Sequence, residues 1–68
     1  MGYATGNTVR AQVEGRSFTG VITGMQGAAV IIRPEAWEDW MTEIYNPTYD
    51  PKGCIVIHGS AVIEVIKT

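Results

Sequence analysis

The chain has 68 residues and a mass of 7.4 kDa, with a formal net charge of −2 and a pI near 5.1. That length holds one domain, residues 1–68, which buries only ~60% of the surface its unfolded form exposes. An apolar share of 46% with 18% charge excludes a disordered tail or a coiled coil, and the acidic balance gives no field for a phosphate backbone.

The lone cysteine, Cys54, excludes an internal disulfide, and the lone histidine, His58, leaves no cluster of soft ligands for structural zinc. No metal or cofactor is implied. No stretch reaches the ~18 apolar residues of a membrane span, and Met1-Gly2-Tyr3-Ala4-Thr5 lacks the basic and apolar regions of a signal peptide. The expected compartment is the cytoplasm, without membrane attachment.

In residues 8–13, Val9, Ala11 and Val13 alternate with Thr8, Arg10 and Gln12, the pattern of a half-buried strand. Glu14-Gly15-Arg16 is a tight connection, and residues 17–23 form a second strand carrying Phe18, Val21 and Ile22. Gly20 inside it marks a bulge or bend. Residues 24–27 turn the chain, and residues 28–32 are a third strand, too short for a helix and rich in β-branched side chains.

The period changes at Arg33-Pro34. Proline suits the first helical position, and Glu35, Glu38 and Asp39 complement the helix dipole. Trp37, Trp40, Met41 and Ile44 then fall on one helical stripe, which predicts a helix over residues 34–45. A proline loop follows over residues 46–53. Residues 54–57 are a fourth strand, His58-Gly59-Ser60 a very short connection, and residues 61–66 a last strand interrupted by Glu64. The predicted class is mainly β: five strands with a short helix inserted between the third and fourth.

Side chains alternate across a strand, so Val30-Ile31-Ile32 and Ile55-Val56-Ile57 put apolar groups on both faces of the sheet. Each Val or Ile left exposed forfeits ~1.5–3 kcal/mol of burial. The outer face therefore needs a cover, either the Trp-bearing helix or another copy of the chain. Ile31, Val56 and Ile57 are the candidate interface residues.

Five short strands with a tight connection before the last resemble an SH3-like small barrel. Gly6-Asn7-Thr8-Val9, then Gly15, then Gly20-Val21-Ile22 is similar to the opening of KOW-type barrels. Residues 55–66 look like the last two strands of the plasmid-borne type II dihydrofolate reductases, SH3-like barrels that work as tetramers around a central pore. The active-site strand of that family reads Val-Gln-Ile-Tyr, where this chain has Ile55-Val56-Ile57-His58. The resemblance thus implies the barrel fold and homo-oligomerisation, and argues against folate reduction.

His58 sits at a strand end, where a barrel mouth places it near a ligand. A nucleophilic pair with Cys54 is disfavoured, because four residues of strand separate the two by ~13 Å. Glu35, Glu38, Asp39 and Glu43 read as a solvated face, and no glycine loop for a nucleotide phosphate is present. Trp37 and Trp40 serve helix-to-sheet packing, with a share in binding, and Tyr45 and Tyr49 are the exposed anchors beyond the helix. Arg10, Arg16 and Arg33 are spread without interleaved aromatics, which disfavours a nucleic-acid groove. The leading expectation is a noncatalytic module that binds protein, including itself as a homo-oligomer. Its binding residues are Tyr45, Tyr49, His58, Trp37 and Trp40. The alternatives are a small-ligand or catalytic oligomer with a site between subunits, and a KOW-like nucleic-acid binder.

Overall fold

The alternation at the start of the chain becomes strand β1, Thr8–Val13, in a computed structural model that describes residues 2–44 and 53–68. β2 spans Arg16–Gln26, β3 Ala29–Pro34, β4 Ile55–His58 and β5 Val62–Lys67, with one helical turn, α1, at Met41–Ile44 and a 3-10 turn at Gly59–Ala61. All pairings are antiparallel, and the sheet order is β4-β3-β2-β1-β5. The mainly β class and the helical turn between the third and fourth strands agree with the sequence reading. β4 and β5 stand at the two edges and do not pair with each other, so the sheet is not closed by hydrogen bonds. Among the described residues no helix is long and apolar enough to cross a membrane.

Val13 pairs with Arg16, leaving Glu14-Gly15 as a two-residue hairpin loop with φ of 50° and 82°. Two positive φ values in succession match a type I′ turn, whose twist suits the flanking strands and which favours asparagine before glycine. A glutamate there carries the steric penalty of the left-handed region. Glu14→Asn is expected to stabilise the fold by about 0.5–1 kcal/mol, raising the midpoint of a thermal melt followed by circular dichroism by a few degrees.

The second strand is longer than its sequence pattern indicates. Residues 24–26, expected to turn, remain in β2, and the chain reverses at Gly27-Ala28 between the paired Gln26 and Ala29. The register with β3 slips between Ile22 and Gly24, leaving Thr23 as an extra residue. A bulge of this kind bends a strand, which lets β2 serve both β1 and β3. The bend is therefore at Thr23 rather than at Gly20. At Gly20 β2 lies close to β3: a Cβ there would stand 2.5 Å from the Arg33 carbonyl oxygen.

One face of the sheet supplies the core: Val9, Ala11, Phe18, Ile22, Val30, Ile32, Ile55 and Ile57, joined by Met41 from α1. The outer face is more polar than the aliphatic runs alone indicate. Glu64, Arg10 and Thr19 form one cross-strand row, and Lys67, Thr8, Val21 and Arg33 another. Ile31 and Val56, opposite each other on β3 and β4, are half-buried. Ile57 points into the core at 7% exposure, so of the three interface candidates it belongs to the interior of its own chain.

The helix predicted over residues 34–45 is largely extended and turn-like backbone instead. Pro34 still pairs with Gly20, and the Glu35 N–H donates to the Thr19 carbonyl at 2.9 Å, which continues the strand past the proline. Residues 38–43 close with i to i−3 bonds, from Met41 N–H to Glu38, Thr42 to Asp39 and Glu43 to Trp40. The apolar stripe is accordingly split. Met41 is fully buried, while Trp40 tilts against Phe18 with centroids 5.9 Å apart and carries the Arg16 guanidinium 5.5 Å from its own ring centre. Trp37 is 43% exposed and donates its indole N–H to Thr42 Oγ1 at 3.3 Å. Residue 45 at the predicted helix end and most of the proline loop, with Tyr45 and Tyr49, lie outside the described residues.

Candidate binding cleft

β4 is short because glycine follows it at once, and its four residues alternate cleanly: Ile55 and Ile57 buried, Val56 half-buried, His58 exposed. His58 then organises the turn that carries the chain to β5. Its Nδ1 accepts the Ser60 backbone N–H at 3.1 Å and lies 2.8 Å from Ser60 Oγ, so the ring caps the 3-10 turn. In the neutral ring this leaves the proton on Nε2, as a donor. Gly59 is buried beneath, with its N–H bonded to the Ala28 carbonyl at 2.8 Å, and a side chain there would run into the Tyr3 hydroxyl.

This anchored turn forms one wall of a cleft of about 280 Å³. Gln12 and Val13 at the end of β1 line it from one side, Val56, Ile57 and His58 of β4 from the other, and Ile44 and Ala61 complete it. The cleft lies where the edge strand β4 faces the end of β1 without pairing to it. Its surface is mostly aliphatic, with the Gln12 amide and the His58 ring as the polar groups. Among the described residues no strand pairs with the outer edge of β4, and an aliphatic cleft beside such an edge suits an apolar side chain of an extended segment.

The sequence-predicted residues divide between this cleft and elsewhere. His58, Val56 and Ile57 come together in it, while Trp37 and Trp40 lie outside its lining. Cys54 is buried and does not line the cleft, and its sulfur stands 3.7 Å from Thr23 Oγ1. Glu35, Glu38, Asp39 and Glu43 are exposed, and among the described residues no group of three or more His, Cys, Asp or Glu is placed to hold a metal ion. Gln12, Val13, Ile44 and Ala61 were not singled out. Only tertiary folding brings these four together, although Val13 already stood on the apolar side of the β1 alternation.

No protein family, curated protein or solved structure matches this chain. The five-stranded antiparallel sheet is compatible with a small β-barrel-like fold, and the SH3-like, KOW-type and reductase resemblances rest on the quoted sequence motifs alone.

Proposed function

We propose that the chain is a noncatalytic protein-binding module with an SH3-like barrel arrangement, which receives an extended segment of a partner protein at the cleft between β1 and β4. The strand order supports the barrel reading, because a meander of four strands is followed by a tight turn that returns β5 beside β1, and the bulged β2 bends between the two halves. The observation that carries the binding reading is the aliphatic cleft lying against the edge of β4, which pairs with no other strand among the described residues. An extended segment there can add backbone hydrogen bonds to that edge while placing alternate side chains in the cleft.

At about 280 Å³ the cleft lies at the lower end of the ~300–1,000 Å³ of small-molecule sites, a volume that also accommodates one or two side chains. Two arginines that would serve a nucleic-acid groove are otherwise engaged: Arg10 pairs with Glu64 at 2.7 Å and Arg16 lies over Trp40. The histidine caps its turn and the buried thiol stands apart from the cleft lining, which supports binding without catalysis.

The test is selection from a displayed library of random peptides, with the site mapped by amide chemical shifts. The expected ligands carry apolar residues two apart and perturb Gln12, Val13, Val56, His58 and Ala61. Val56→Lys is expected to weaken their binding at least tenfold, about 1.4 kcal/mol. Failure to enrich any peptide, or perturbations confined to the opposite edge of the sheet, would reject the reading.

A further inference from the structure

The backbone groups that β4 presents at its outer edge follow from its pairing with β3. Ala29 faces His58, and the Gly59 N–H donates to the Ala28 carbonyl at 2.8 Å, so in this register Gly59, Ile57 and Ile55 are the residues that exchange hydrogen bonds with the β3 side. Alternate residues of an antiparallel strand turn theirs the other way, which leaves Val56 and His58 facing the outer edge. The His58 carbonyl heads the 3-10 turn as its N-cap, so the edge offers the N–H and carbonyl of Val56 and the N–H of His58. Among the described residues none of these three groups is bonded to another backbone group. The side chains of the same two residues share one face, and both line the cleft. Nδ1 of His58 is committed to the Ser60 N–H, so Nε2 carries the proton in the neutral ring, and in the charged ring it carries one as well. That nitrogen donates in either state and accepts in neither. Gln12, the other polar side chain of the lining, has an amide that does both and selects nothing by itself, and no lining residue bears a carboxylate.

We infer that His58 is the residue that selects the partner segment: a strand antiparallel to β4 whose residue opposite His58 carries a side chain that accepts a hydrogen bond, and whose residue opposite Val56, two positions later, is apolar. The inference rests on the reading of the cleft as a protein-binding site. An antiparallel segment continues the pairing of every strand in the sheet and lets one of its residues exchange both bonds with Val56, whereas a parallel segment would divide them between two residues. The residue opposite His58 then receives the His58 N–H on its carbonyl. Side chains directly opposite each other in such a pair stand about 4.5–5.5 Å apart at Cβ, which brings an amide or carboxylate oxygen within reach of the imidazole. A lysine or arginine in that place sets a donor against a donor, and a leucine takes water from Nε2 and returns nothing. The segment's intervening residue turns its own N–H and carbonyl away from β4.

The probes are labelled synthetic peptides of the form X-Thr-Val-Thr-Val, with asparagine, leucine or lysine at X, titrated against the full chain by fluorescence anisotropy. The asparagine peptide is expected to bind about tenfold or more tightly than the other two. Methylating the backbone nitrogen of the first valine, the donor to the Val56 carbonyl, is expected to weaken binding at least about tenfold, and methylating that of the threonine before it, which faces away, less than about threefold. His58→Asn keeps a side-chain oxygen for the Ser60 N–H and removes the ring donor. It is expected to hold the thermal melt of the wild type and to bring the three peptides within about threefold of one another; should it fail to fold, the comparisons on the wild type decide the matter. Equal affinity of the wild type for the three peptides, equal loss on methylating either nitrogen, or discrimination that persists in folded His58→Asn would each overturn the inference and leave the cleft as a binding site. Binding of none of the peptides would overturn both.

Discussion

Lysine in place of Ile57 is expected to leave the chain unfolded at room temperature, whereas lysine in place of Val56, one residue earlier, leaves it folded. Ile57 is 7% exposed and belongs to the core with Val30, its partner on β3. Among the described residues no charged side chain is buried that could pair with an ammonium group there, and an uncompensated buried charge costs about 3–5 kcal/mol in addition to the lost aliphatic burial. A domain of this length has ~3–5 kcal/mol of stability in all, so the substitution removes it. Val56 points outward on an edge strand, where a lysine stem lies along the surface and its charge reaches water. The cost there is expected to be about 1 kcal/mol. Far-ultraviolet circular dichroism and a urea titration of the two variants decide the matter. Two equally unfolded or two equally stable proteins would contradict the assignment of faces on β4.

Gly20→Ala is expected to destabilise the fold by about 2–4 kcal/mol, and Gly24→Ala, four residues along the same strand, by less than about 1 kcal/mol. A methyl group at Gly20 would stand 2.5 Å from the Arg33 carbonyl oxygen and 2.7 Å from Ile32 Cγ2, and the first of these is backbone that cannot step aside without parting β2 from β3. At Gly24 the nearest atom is Ile31 Cδ1 at 3.4 Å, the end of a side chain that can turn. Urea midpoints of both variants measure the difference. Equal effects would contradict the close approach of β2 and β3 at Gly20.

Much of the sheet was legible because alternation and β-branching act locally. Thr8–Val13 reads directly as one strand with Val9 and Ala11 inward, and the sharp reversals at Glu14-Gly15 and after His58 are marked by their own residues. The helix is shorter than the spacing indicates, because Trp37, Trp40, Met41 and Ile44 are spaced as on one helix while the bonds that keep Pro34 and Glu35 extended come from Gly20 and Thr19 in another strand. The cleft was half legible. Val56, Ile57 and His58 announce a short strand with a polar end, but Gln12 and Ile44 reach them only after the sheet has curled. The isoleucines of β5 are a different case. Nothing in Val62-Ile63-Glu64-Val65-Ile66 says that Ile63 and Ile66 are skipped in the pairing with β1, because the slips exist only against that strand, more than fifty positions earlier.

Thr8 sits directly opposite Lys67, so the places where the chain joins and leaves the sheet are neighbours. They lie about 15 Å along β1 from the cleft residues Gln12 and Val13. A reporter or carrier fused after Lys67 would therefore set out about that far from the mouth beside His58 and leave it clear. Grafted between two strands of a host protein, the same geometry would ask the host to open a gap no wider than a hairpin.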